Sequence, residues 1–294
     1  MSGHPASTEA ADATTAEIDR VSTAARVHLL IDAQLAAVDA VHDARAAIVR
    51  AVDAVVEALQ AGGRVVVLGA GTSGRLAVLD ASELPPTFGF DPARWKARIA
   101  GGDAALRAAI EGAEDDEDAG SHALDDLEPG DVGIGVSASG GAPYVCAALR
   151  AARARGIRTI AIVNARESEL AAVAEIAIEA ITGAEPIAGS TRMRAGTAQK
   201  IVLNTISTAA MIDLGKTYRN RMVDVVPSNA KLRARAERLV RDIGGDVDAA
   251  AMLASAGGNV KTAIVMARRG VPRDAAERLL ADAGGRLAGV IDDA

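Results

Sequence analysis

The sequence predicts an α/β fold: a doubly wound, five-stranded parallel sheet, preceded by helices and followed by a small helical domain. Three observations carry this. The apolar run Arg64-Val-Val-Val-Leu68 ends in a glycine turn that opens directly into a helical pattern, which is the order strand, tight turn, helix. Four further short apolar runs alternate with helical patterns, and the chain beyond residue 220 shows helical patterns alone. The expected organisation is a tail and helices over 1–55, the sheet domain over 56–220 and a helical region over 221–294.

Taken in order, residues 1 to about 15 are small and polar and read as a mobile tail. The stretch from Thr15 to Thr23 is denser in polar groups than a helix needs, which suits a cover over a site. Two helices are expected next, over 23–40 and 41–60. In the second, Val41, Ala44, Ile48, Val52, Val55 and Leu59 recur at helical spacing, and Gly62-Gly63 is its stop. Three consecutive valines then suit a strand buried on both faces. Trp95–Ala100, Asp131–Val136, Thr159–Val163 and Glu175–Ile181 read as strands two to five, with Tyr144–Arg155 the clearest helix between them. The polar loop Gly189–Lys200 precedes a long helix ending near Gly215. That helix is apolar on most of its circumference, from Ile201 and Val202 to Met211 and Ile212, which suits packing between the sheet and a second subunit. Glycine pairs at 244–245, 257–258 and 284–285 divide the remainder into three helices, with Lys231, Arg233, Arg235, Arg238 and Arg241 on a solvated side.

Composition narrows the function classes. Half of the 294 residues are apolar but only 2% are aromatic, so the core must be built of Ala, Val, Ile and Leu, a mixture that favours helices. A net charge of -7 argues against a nucleic-acid surface. The single cysteine, Cys146, excludes an intramolecular disulfide, suits a reducing compartment and, between Val145 and Ala147, reads as inert packing. The N-terminus is acidic where a signal peptide needs basic residues, and no apolar run approaches a membrane span, so a cytoplasmic protein without a membrane partner is expected. His4, His28, His42 and His122 are scattered without ligand spacing, so no metal is expected.

The candidate site begins at Gly69-Ala-Gly71-Thr72-Ser73-Gly74-Arg75. Open N–H groups and the dipole at a helix start favour an anion, and two hydroxyls add donors, so a phosphate is the first ligand to consider. The same letters satisfy the dinucleotide fingerprint, which also wants an acidic residue roughly 20 positions on at a strand end. Asp91 has that spacing but lies ahead of the next strand. In a doubly wound sheet the ligand sits beyond the carboxyl ends of strands one and three. The second of those ends carries Ser137-Ala138-Ser139-Gly140-Gly141. Thr72, Ser73, Ser137, Ser139, Ser190 and Thr191 are therefore the candidates for binding a phosphate or sugar hydroxyls. Each could instead be a turn or cap residue, the commoner fate of Ser and Thr near glycine, but clustering at the switch point favours the ligand role for Thr72, Ser73 and Ser139. Lys200 could screen a phosphate or pair with an acidic neighbour.

These loops resemble the sugar isomerase (SIS) domain of phosphosugar-binding proteins, a flavodoxin-like sheet whose hydroxyls hold the sugar phosphate. More narrowly, four segments resemble the N-acetylmuramic acid 6-phosphate etherases: 16–23, 68–75 with Asp80-Ala-Ser-Glu83-Leu-Pro-Pro-Thr87, Glu111-Gly-Ala-Glu114-Asp115, and Gly189-Ser-Thr-Arg-Met-Arg-Ala-Gly-Thr-Ala-Gln-Lys200. Asn259-Val-Lys-Thr-Ala-Ile-Val-Met266 also fits, and a UBA-like helical region is implied at the C-terminus. One loop departs. The family's usual Ala-Ser-Gly-Arg-Thr-Pro-Tyr is here Ala138-Ser139-Gly140-Gly141-Ala142-Pro143-Tyr144, so Ala142 lacks a hydroxyl.

The resemblance implies a homodimeric, cofactor-free and metal-free lyase that removes D-lactate from N-acetylmuramic acid 6-phosphate. An ether leaves readily only when a neighbouring carbanion expels it. Ring opening exposes an aldehyde that acidifies carbon 2, lactate is lost from carbon 3, and water adds to the double bond. By resemblance Glu83 is the general acid and Glu114 the base at carbon 2. Read without the family, Glu83 is a solvated residue near a helix end, although Leu84-Pro85-Pro86 suits a raised pKa. Glu114 is one of a solvated acidic run. The rival readings are a non-catalytic phosphosugar-binding regulator, a sugar phosphate isomerase and, third, a dehydrogenase.

Overall fold

A computed structural model describes residues 7–226 and 229–292. In chain order the sheet-bearing part runs α1 (Thr23–Asp32), α2 (Leu35–Asp43), α3 (Arg45–Gln60), β1 (Val65–Gly69), α4 (Gly71–Phe88), β2 (Trp95–Ile99), α5 (Glu117–His122), β3 (Val132–Ser137), α6 (Pro143–Ala154), β4 (Arg158–Val163), α7 (Glu169–Val173), β5 (Ile176–Glu179) and α8 (Arg194–Asp213). A short antiparallel pair, β6 (Thr217–Tyr218) and β7 (Arg221–Met222), follows. The chain ends in α9 (Ala230–Gly244), α10 (Ala249–Ser255), α11 (Val260–Arg269), α12 (Arg273–Asp282) and α13 (Ala288–Ile291). Two compact units are formed, one of residues 1–81 and 93–207, the other of 82–92 and 208–294.

The five strands are parallel in the order β2-β1-β3-β4-β5. Chain direction across the sheet therefore reverses between β1 and β3, as the alternation of strand and helix predicts. Every residue of β1 and β3 is buried, because helices cover both faces and leave no room for polar alternation. On one face Val66 and Leu68 pack with Leu124, Leu127, Val145, Leu149, Ile157 and Leu170. At the amino edge Asp131 accepts from the Arg64 backbone N–H at 2.7 Å and from its guanidinium at 2.6 Å, tying the entries of β1 and β3 together. The second unit has a separate core built around Val223, Val240, Ile264 and Leu287.

Several expectations need correction. The residues expected as two helices form three, with a turn at 33–34 and another at Ala44, since Gln34 and Ala44 adopt helical angles without a side-chain cap to stop or restart the helix cleanly. Arg194–Lys200, read as the end of a loop, forms the first turns of α8. Along α8 a strip of Asn204, Thr205, Thr208, Ile212 and Asp213 is exposed, so its burial is less complete than its composition implies. Among the described residues beyond 229 there are five helices instead of three: Gly270, in the left-handed region, ends α11 before Pro272 starts α12, and the short α13 follows Gly284-Gly285. The tail expected to be mobile falls partly on residues 1–6, with His4, outside the described residues. From Ser7 onward it forms two 3-10 turns, with Thr8 and Thr15 buried. Among the described residues no single helix is long and apolar enough to cross a membrane.

Candidate functional site

The glycine turn after β1 is shaped by backbone contact. A Cβ on Gly69 would stand 2.7 Å from the Gly74 nitrogen, and one on Gly74 would stand 2.6 Å from the Gly69 oxygen, so strand end and helix start can meet only without side chains. Gly71, with φ +52°, takes the left-handed angle that reverses the chain. The result is an α4 start facing the carboxyl edge of the sheet with Thr72 half-buried beside it. No side-chain hydrogen bond among the described residues occupies the Thr72 hydroxyl.

Ser73 behaves differently. It is buried, and its hydroxyl donates to Gln199 Oε1 at 2.8 Å. The Gln199 amide donates to Asn164 Oδ1 at 2.9 Å, and the Asn164 amide to the Ala180 carbonyl at 2.8 Å. This buried row joins α4 and α8 to the carboxyl ends of β4 and β5. Further along the same two helices, the Ser207 hydroxyl donates to Asp80 Oδ1 at 3.1 Å. Residue numbers rise together at both contacts, so α4 and α8 run parallel and their starts lie at the same end of the sheet. Burial holds the Asp80 carboxyl above its usual range, against the opposing effects of Ser207 and Lys200.

The α8 start is filled from within the chain. Glu185 is fully buried and accepts from the backbone N–H of Arg194 at 2.8 Å and of Ala195 at 2.9 Å. Arg194 in turn pairs with Asp12 at 2.8 Å and donates to the Ala33 and Ala184 carbonyls. Sequence reading missed Glu185, Gln199 and Asn164. Carboxylates do favour helix starts, but nine residues separate Glu185 from Arg194, which is not the spacing of a capping box.

Of the remaining candidates, Ser137 ends β3 and Ser139 follows it, and they shape their loop by accepting from Gly140 and Gly141 N–H at 3.1 and 3.2 Å. Ser190 and Thr191 are half-buried ahead of α8, and the Thr191 carbonyl accepts from Gly196 N–H at 2.9 Å. A Cβ on Gly196 would be 3.5 Å from the Thr72 methyl, which brings the first and third polar loops together. Ala142 is the cap residue of α6 and gives it no side-chain bond. Cys146 is inert: burial raises its thiol to about 11.

The two glutamates stand elsewhere. Glu114 is an exposed residue in a 3-10 turn, Ala113–Asp115, after β2, and partial desolvation of its carboxyl, reinforced by the Asp115 charge, raises its pKa. Glu83 is exposed on α4. Beside the Glu114 turn lies a cavity of about 790 Å³, lined by residues including Arg98, Gly101, Gly112, Asp115 and Tyr144.

Comparison with known proteins gives this geometry a family. Residues 47–153 match the glucokinase regulatory protein N-terminal SIS domain, and residues 111–209 match the SIS domain. The chain is 47% identical to an N-acetylmuramic acid 6-phosphate etherase of Deinococcus radiodurans over 98% of its own length and 96% of that relative. It belongs to the N-acetylmuramic acid 6-phosphate etherase family. Etherases of Cutibacterium acnes and Escherichia coli are each 44% identical, over 98% of this chain and 96% of the first, and over 95% of this chain and 95% of the second. An Escherichia coli CFT073 protein solved in complex with A5P has a TM-score of 0.50 at 19% identity, covering 68% of this chain and 96% of that one, which shows the shared SIS fold. In this etherase-family chain no carboxylate among the described residues is hydrogen-bonded to the α4 start, where Thr72 stands.

Proposed function

We propose that the protein is a carbon–oxygen lyase that removes D-lactate from N-acetylmuramic acid 6-phosphate and leaves N-acetylglucosamine 6-phosphate. The observation that carries this is likeness to a curated etherase over 98% of the chain. The unfilled α4 start agrees with it, since a phosphate suits open amides and a free hydroxyl. In this reading Thr72, Ser73, Ser137, Ser139, Ser190 and Thr191 form or shape the phosphosugar site. Thr72 contacts the ligand directly, whereas Ser73 acts through the Gln199 row. Glu114 takes the carbon 2 proton, a role helped by its raised pKa, and Glu83 protonates the departing ether oxygen. No metal or cofactor takes part.

The phosphosugar domain is assigned to 56–220 and the helical region to 221–294. A homodimer is part of the proposal. It is supported by Val27, Ile31, Leu35, Val38 and Val49, which are exposed on α1 to α3 and leave an apolar surface for a second copy. A cytoplasmic location fits the single buried thiol.

The test is incubation with N-acetylmuramic acid 6-phosphate and assay for D-lactate. Binding without lactate would replace the lyase by a phosphosugar-binding regulator, and a ketose product without lactate would make it an isomerase. Glu83→Gln and Glu114→Gln should each abolish turnover with binding kept within about tenfold. Unchanged turnover in either removes that residue from the mechanism.

A further inference from the structure

The cavity beside the Glu114 turn is rich in acceptors and poor in donors. Asp103, Glu111, Asp115 and Asp116 contribute carboxylates, while the Arg98 guanidinium already donates to the Ala123 carbonyl and Asp126. Tyr144 differs from them. It is only 6% exposed and packs among Leu124, Val145 and Leu149, yet no hydrogen bond among the described residues takes its hydroxyl. A buried phenol normally finds a partner, and this one lines the cavity at the first turn of α6. Burial, opposed by Arg98 and reinforced by Asp116, raises its pKa, so it stays a protonated donor at neutral pH. The turn that carries Glu114 packs against the same cluster through Ala113.

We propose that Tyr144 donates a hydrogen bond to the carbon 1 oxygen of the ring-opened substrate and holds the negative charge that develops there. The inference rests on the reading of Glu114 as the carbon 2 base. In the step concerned, the C2–H bond breaks, its proton passes to Glu114, and its electron pair becomes a C1=C2 double bond as the carbonyl pair moves onto oxygen. Tyr144 keeps its proton throughout. The oxygen pair then restores C1=O, the C1=C2 pair shifts to C2=C3, and the C3–O pair leaves with the lactyl oxygen, protonated by the general acid. Carboxylate walls make an oxyanion costly, and a fixed donor aimed at it contributes on the order of 10²–10³ in rate.

The assay is exchange of the carbon 2 proton of N-acetylglucosamine 6-phosphate with D₂O, followed by NMR beside lactate release from the full substrate. Tyr144→Phe keeps the packed ring and should slow both by about 10²–10³, with KM within about threefold. Exchange lost in Glu114→Gln but at the wild-type rate in Tyr144→Phe overturns this inference alone. Wild-type exchange in Glu114→Gln overturns the reading beneath it. Replacing Tyr144 by the more acidic 3,5-difluorotyrosine should move the alkaline limb of the exchange profile to lower pH, and an unmoved limb would also refute the role.

Discussion

The starts of α4 and α8 are neighbours, parallel and at the same edge of the sheet, yet the chain treats them in opposite ways. At α8 a fully buried Glu185 accepts from two backbone N–H groups, and Arg194 is held by Asp12 and two carbonyls. At α4 the glycine turn brings the backbone forward and leaves Thr72 with no internal partner among the described residues. Both starts carry the same partial positive charge. The difference lies in who supplies the anion: the protein itself at α8 and, in the function proposed above, the substrate phosphate at α4. On that proposal one start serves stability and the other binding, and substitutions should separate the two.

The largest effect is expected at the filled start. Glu185→Ala leaves two buried N–H groups unpaired and should cost roughly 2–5 kcal/mol in denaturant unfolding. A loss below 1 kcal/mol would mean the two starts are not so different. Asp131 is a second internal acceptor, at the opposite edge, and Asp131→Ala should cost roughly 2–3 kcal/mol. Burial pushes its carboxyl upward, but the hydrogen bonds from Arg64 and from the Glu128 backbone N–H together outweigh this and hold it below its usual range. Its contribution is therefore complete above the unfolded pKa of about 3.9 and is lost as pH falls towards the depressed folded value. Acid unfolding of wild type and the variant should converge there. At the open start the pattern reverses. Thr72→Val should weaken phosphosugar binding about tenfold, read by calorimetry, with stability changed by less than about 0.5 kcal/mol. The smallest effect belongs to a third start, that of α6, where Ala142 supplies no cap. Ala142→Thr should add about 0.5–1 kcal/mol in the same unfolding experiment, and a loss instead would show that the nearly closed site has no room for the added atoms.

Much of this was legible in the residues. Three valines followed by Gly69, Gly71 and Gly74 fix strand, turn and helix, because each glycine answers a local need that no other residue meets. The strand sequence and the reversal between β1 and β3 follow from alternation alone. Thr72 and Ser73, in contrast, are adjacent hydroxyls that no local rule separates, yet one faces an open site and the other is buried on Gln199. Glu114 was marked by family resemblance, but the unpartnered phenol of Tyr144 near its turn depended on how α6 packs.

The sequence by itself determined the order of elements, the parallel sheet and the family, since these depend on periodicity and on residues close together in the chain. Tertiary structure alone decided which helix start stays open and which hydroxyls remain free. Those outcomes turn on partners such as Glu185, Gln199 and Asn164, which reach their targets only once distant segments have folded against one another.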